Sequence, residues 1–184
     1  MTIYRDFDDI TGNFAACIGF FDGVHRGHQF LLEHLKAEAE SDGLKSAVVT
    51  FVNHPRKVVQ PDYDIILIDT LEERLSKLER MGLDACFLID FTEEIRQLSA
   101  RQFICDILSR QMHIKRLLIG YDHRFGHNRT EGFDDYVHYG NTCGMKVVQE
   151  PIYNDGSGLN YSSSEIRRAL KVGDSQKAAR LLGW

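Results

Sequence analysis

Between residues 14 and 39 a short apolar run, a glycine-rich turn and an amphipathic helix pattern follow one another, and no other feature constrains the chain as tightly. Phe14–Ile18 is apolar throughout, as a strand covered on both faces requires. Leu31, Leu32, Leu35 and Ala39 then recur at helical spacing. Between them lies Gly19-Phe20-Phe21-Asp22-Gly23-Val24-His25-Arg26-Gly27-His28-Gln29. A buried-type strand that enters a helix through glycines is the first half of a parallel β-α-β unit. Such units leave few arrangements open, because their crossovers are right-handed.

The same alternation continues. Lys45–Phe51, Ala85–Ile89, residues 116–119 and residues 146–151 read as further strands, and 65–68 is a shorter apolar run. Thr70 and Glu73 form a capping box for a helix through Leu71, Leu75, Leu78 and Met81, which Gly82 ends. Ser99 and Gln102 cap a helix that carries Phe103, Ile104, Ile107 and Leu108 on one face. Residues 133–143 read as a helix. Ser162 and Glu165 form a box that opens another, with Ile166, Ala169 and Leu170 inward, and a last helix spans 174–182 before Gly183. Strands alternating with helices predict an α/β fold, a parallel sheet covered by helices on both faces. At 184 residues and 43% apolar, one domain spanning 1–184 is expected.

A net charge of −5 argues against a nucleic-acid partner, which would demand a basic face. No apolar run approaches the roughly 20 residues of a membrane span. Cys17, Cys86, Cys105 and Cys143 contain no C-x-x-C pair and read as reduced thiols, so the cytoplasm is the expected compartment.

Polar residues that could do chemistry gather in four places. Gly19, Gly23 and Gly27 permit close approach of a ligand, and the helix that follows aims its free N–H groups at whatever lies beyond the strand. An anion suits that position. His25 and His28, three residues apart, could both reach one phosphate. Neither G-x-x-x-x-G-K-[ST] nor G-x-G-x-x-G occurs. After the second strand, Phe51-Val52-Asn53-His54-Pro55-Arg56 is a stiff loop, since Pro55 holds His54 extended; His54 and Arg56 can both meet a phosphate. After the fourth comes Gly120-Tyr121-Asp122-His123-Arg124-Phe125-Gly126-His127-Asn128-Arg129-Thr130-Glu131-Gly132. Finally, Ser162, Ser163, Ser164 and Arg167 surround a helix start and make a second anion cradle.

His25-Arg26-Gly27-His28 resembles the His-x-Gly-His signature of the nucleotidylyltransferase superfamily. The longer stretch 19–29 resembles the FMN adenylyltransferase (FAD synthetase) module of bacterial bifunctional riboflavin kinase/FAD synthetases, with Phe20 where the family usually has Asn. Residues 50–55 resemble its T-F-x-P-H-P segment, with Asn53 replacing Pro. Residues 120–132 resemble G-x-D-F-R-F-G-x-x-R-x-G, with His123 departing, and 161–167 resemble I-S-S-[ST]-x-I-R.

The resemblance implies a Rossmann-like nucleotidylyltransferase fold that transfers AMP from ATP to FMN, with Mg²⁺ bridging phosphate oxygens. It implies His25 and His28 as catalytic residues, and Gly19, Phe20, Asp22, Gly23, Asp122, Arg129, Ser162, Ser163, Ser164 and Arg167 as nucleotide-binding. Asn53, His54, Pro55, Arg56, Arg124 and Phe125 would meet the flavin. No protein-held metal site is expected. Nothing in the sequence corresponds to a riboflavin kinase domain, so FMN is expected from a separate kinase, or the chain is an excised module. Two other functions fit the motifs less fully: transfer to a different phosphorylated acceptor, and non-catalytic flavin or nucleotide binding.

Overall fold

A computed structural model describes all residues except Pro61, Tyr63, Asp64, Asp122, His123, Asn128 and Arg129. Its elements are β1 (Thr2–Tyr4), β2 (Phe14–Ile18), α1 (Arg26–Ser41), β3 (Lys45–Phe51), α2 (Pro55–Val59), α3 (Leu71–Arg80), β4 (Ala85–Ile89) and α4 (Glu93–Gln97). They continue with α5 (Ala100–Gln102, prolonged as a π-helix over Phe103–Gln111), β5 (Ile114–Gly120), α6 (Phe133–Thr142), β6 (Lys146–Glu150), α7 (Ser163–Lys171) and α8 (Ser175–Leu182).

Six parallel strands form one sheet in the order β1-β4-β3-β2-β5-β6. Alternate side chains divide between its two faces. Phe14, Ala16, Ile18, Val49, Phe87, Leu117 and Ile119 pack with Phe103, Ile104, Leu108 and Tyr136 on one side. Ala15, Cys17, Val48, Cys86 and Leu118 pack with Leu32, Leu35, Ala39 and Leu78 on the other. Both faces are therefore covered, which explains the unbroken apolar strands. From β2 the chain builds outward through β3 and β4, then returns to the other side of β2 with β5. The order reverses between β2 and β5, and an open α/β sheet has its ligand crevice beyond the strand ends at such a reversal.

The Thr70–Glu73 and Ser99–Gln102 boxes form with both hydrogen bonds. Elsewhere the structure departs from the sequence reading. The edge strand β1 escapes it because three residues carry no periodicity; only pairing with β4 makes them a strand. The loop after β3 becomes α2, with Pro55 in its first turn and the extended His54 as N-cap, whose Nδ1 accepts from Arg56 N–H at 3.1 Å. Only half of the Ser162–Glu165 box forms: Ser162 Oγ accepts from Glu165 N–H, while the Glu165 carboxylate pairs with Lys177 and Arg168.

Leu170 is not inward but 49% exposed. The small Ala169 and Ala178 lie in the cluster joining α7 to α8, and the next helical position falls outside that narrow seam. All four cysteines are free thiols, Cys17 and Cys86 in the core and Cys105 and Cys143 half-buried.

Candidate active site

Beyond the end of β2 the backbone turns sharply. Phe21, Gly23 and Val24 take positive φ of 58°, 82° and 41° around the short 3₁₀ turn Asp22–Val24. A Cβ on Gly23 would lie 2.9 Å from Leu182, so glycine is required there on two counts. The Asp22 carboxylate, 3% exposed, accepts from the backbone N–H groups of Ile68 and Asp69 at 2.9 and 3.2 Å. It also takes Arg167 at 2.6 Å. Burial pushes the Asp22 carboxyl up, against the pull of the two N–H groups and the guanidinium.

His25 is the N-cap of α1. Its Nδ1 accepts from His28 N–H at 3.4 Å, which leaves Nε2 to carry the ring hydrogen. The two imidazoles stack at 3.7 Å between centroids, 18° from parallel, and His28 also meets the Phe21 ring at 5.1 Å. Gly27 makes room for this arrangement, since a Cβ there would lie 3.3 Å from the His25 ring and 3.2 Å from the Tyr161 carbonyl. Burial, reinforced by the Arg167 charge, pushes His25 down to about 4. Burial and the neighbouring His25 push His28 down as well. Both rings are thus neutral near pH 7, and among the described residues His28 Nδ1 is buried without a hydrogen-bond partner.

The serine turn joins the same place. Ser163 Oγ donates to the Asp22 carbonyl at 2.9 Å, so the start of α7 is bonded directly to the glycine-rich turn. Ser162 caps α7, and Ser164 is exposed. The Arg167 charge also helps, after burial, to push His54 down to about 4, which brings the loop after β3 into the same neighbourhood. His54 packs against Phe20 at 4.5 Å, and Thr50 Oγ1 donates to the Phe20 carbonyl at 3.2 Å.

Several sequence-derived site residues hold the protein to itself. Asn53 uses both ends of its amide on Phe91, donating to the carbonyl at 3.2 Å and accepting from N–H at 2.9 Å. Pro55 begins α2, and Arg56 lies in its first turn. Arg124 donates to the Glu131 carbonyl at 3.0 Å, and Phe125 stacks on Tyr136 at 4.2 Å, 11° from parallel. Gly126, at φ 96°, packs so closely on Ala100 that a Cβ would lie 2.9 Å from its nitrogen. Asp122 and Arg129 lie outside the described residues.

Arg74 was missed by sequence reasoning. It is 1% exposed, donates from Nη2 to the Phe51 carbonyl at 2.5 Å and stacks its guanidinium 3.9 Å from the Phe20 ring. A signal existed: Arg74 is the charge interrupting the Leu71, Leu75, Leu78 stripe of α3. Phe20, standing where the resembled family has Asn, fits here because its ring has a cation to face.

The FAD synthetase family profile matches residues 8–164 of the chain. A bifunctional riboflavin kinase/FMN adenylyltransferase of Pseudomonas fluorescens is 36% identical over 170 residues, covering 92% of this chain and 54% of that protein. The chain thus spans about half the length of the relatives it matches. Among solved structures, a Streptococcus pneumoniae protein described as a macrolide-efflux protein superposes with a TM-score of 0.85 at 28% identity, over 99% of this chain and 61% of that one. Thermotoga maritima TmcAL, bound with alpha-thio ATP, matches at a TM-score of 0.60 and 11% identity over 91% of this chain and 52% of that one, a likeness of fold.

Proposed function

This chain belongs to the FAD synthetase family, and from that membership we propose that it transfers AMP from ATP to the phosphate of FMN, giving FAD and pyrophosphate. The observation that carries the reading is the double tie between the glycine-rich turn and the serine turn: Ser163 and Arg167, in the first two turns of α7, both bond to Asp22, which precedes the stacked His25 and His28 by three and six residues.

An FMN phosphate oxygen attacks the α-phosphorus of ATP, and the bond from that phosphorus to the bridging oxygen breaks as pyrophosphate leaves. The phosphate is already a competent nucleophile, so the protein's contribution is positioning and charge. His25, with its hydrogen on Nε2, and His28, stacked on it, serve as neutral donors to the α-phosphate. The fixed positive charge comes from Arg167 and from the N-terminal ends of α1 and α7, which also receive the leaving pyrophosphate. Asp22 holds Arg167 in place and acts through it on the nucleotide. Ser164 and the first N–H groups of α7, which have no intrahelical acceptor, complete the cradle, with Ser162 holding its shape.

Mg²⁺ is read as part of the ATP substrate, held by phosphate oxygens and water. The Asp22 carboxylate beside the histidines is already taken up by three protein donors, Ile68 N–H, Asp69 N–H and Arg167.

The segments after β3 and β5, with His54, Arg56, Arg124 and Phe125, are read as the flavin side, and Asp122 and Arg129 as nucleotide contacts. Residues 1–184 are read as one adenylyltransferase domain, with FMN made by a riboflavin kinase on another protein or elsewhere on a longer chain. Among the described residues no helix is long and apolar enough to cross a membrane. The reaction is assigned to the cytoplasm, without a membrane or nucleic-acid partner.

The test is incubation of the chain with ATP, Mg²⁺ and FMN, following FAD and pyrophosphate by chromatography. Equimolar appearance of both supports the reading; no FAD over a no-enzyme control overturns it. Riboflavin as sole acceptor should yield nothing, because it lacks the attacking phosphate.

A further inference from the structure

Val24 is a β-branched residue at φ 41°, a backbone region such residues avoid because Cβ crowds the adjoining peptide groups. It is fully buried and immediately precedes His25. A strained residue persists only where its surroundings over-determine it. Here the surroundings can be named. The Val24 carbonyl accepts from Gln29 Nε2 at 2.8 Å and from Trp184 Nε1 at 3.0 Å, while Val24 N–H donates to the Phe21 carbonyl at 3.0 Å.

Both carbonyl donors are themselves anchored. Gln29 Nε2 also donates to the Leu182 carbonyl at 2.8 Å, tying the end of α8 to α1. The Trp184 ring lies 4.4 Å beneath the Arg80 guanidinium at the end of α3. Gly183, at φ 76°, packs where a Cβ would come within 2.8 Å of Arg26, so the chain leaving α8 lies against the first residue of α1.

The peptide unit is planar, so a carbonyl gripped by two donors fixes the plane that also contains the next N–H and Cα. That next residue is His25. We propose that Gln29 and Trp184 are positioning residues, which hold Val24 in its left-handed conformation and thereby aim the His25 ring at the α-phosphate. The inference rests on the adenylyl-transfer reading. Neither residue is assigned contact with substrate.

Steady-state FAD formation is measured for Trp184→Phe and Gln29→Met, each in the native and in the Val24→Gly background. Both replacements keep an apolar body and remove the donor, and either one suffices if the other fails to fold. In the native background each should lower kcat about five- to tenfold, with KM for ATP within about twofold, because binding groups are untouched and only the aim of His25 is lost. In the Val24→Gly background the same replacements should cost less than about threefold, because glycine takes positive φ without support. Equal losses in both backgrounds, or a rise in KM with kcat unchanged, overturn the proposal.

If the native chain makes no FAD, the adenylyl-transfer reading falls by itself. The positioning claim is then decided by the NMR signals of the His25 ring. Trp184→Phe should displace them in the native background and leave them in place once Val24→Gly is present; unmoved signals in the native background overturn it.

Discussion

Around His25 the wall of the crevice is protein interior: Phe21 is 2% exposed, Asp22 3% and His25 5%, and the Asp22 carboxylate has three donors. After β3 the chain is built differently, leaving Val52, Val59, Ile66 and Leu67 with 36% to 78% of their surface in water. The comparison separates two physical tasks. Groups that stabilise a redistributing phosphate charge work best when fixed in advance in a dry setting, and the residues proposed for that task are the buried ones. A surface that takes up a large apolar ring can be left exposed and become covered by the ligand, since the gain comes from removing apolar area from water.

The hardest blow to this division is His28→Ala. With a donor removed from the preorganised side, turnover should fall about 10²–10³-fold while the fold survives; near-normal turnover in a folded variant would break the division at its centre. Acid comes next. His25 is held neutral to about 4 in the folded chain but titrates near 6.5 when unfolded, so between those values the unfolded state binds more protons. Stability should therefore be full above about pH 6.5 and decline as pH falls toward 4, by up to about 1.4 kcal/mol per pH unit from this residue. Denaturant midpoints across that range, compared between the native chain and His25→Ala, check it: the decline should be shallower in the variant, and an equal slope in both would show the ring is not held neutral by burial.

Arg167→Ala should weaken ATP binding by about tenfold or more in calorimetric titration and destabilise the chain, because the buried Asp22 carboxylate loses its cation. Unchanged ATP affinity would detach α7 from the nucleotide. The smallest effect belongs to the exposed side: Ile66→Ser should raise KM for FMN a few-fold, leave KM for ATP alone and shift stability by no more than about 0.5 kcal/mol. An equal change in both KM values would erase the distinction between the two walls.

Much of this was legible without coordinates where the signal is local. A capping box spans four residues and so reads directly from Thr70 and Glu73 or from Ser99 and Gln102. The Ser162–Glu165 box has the same spelling yet forms only in part, because Lys177 and Arg168, one on the neighbouring helix, take the Glu165 carboxylate. Leu170 failed for a related reason: helical spacing gives a direction but not the width of what covers it. Asn53 and Phe125 show what residue type leaves open. Their residue types suit a ligand, and their amide and ring are engaged by Phe91 and Tyr136.

Periodicity, glycines and caps determined which segments are strands and helices, that the sheet is parallel and doubly covered, and that polar groups collect after β2, β3 and β5 and before α7, because those signals act over a few residues of chain. Only the tertiary structure decided that β5 returns to the far side of β2, that Arg167 closes on Asp22 from 145 positions away, and that Trp184 grips the Val24 carbonyl from 160. Those choices depend on which surfaces meet when the core closes, and no short window of sequence contains both partners.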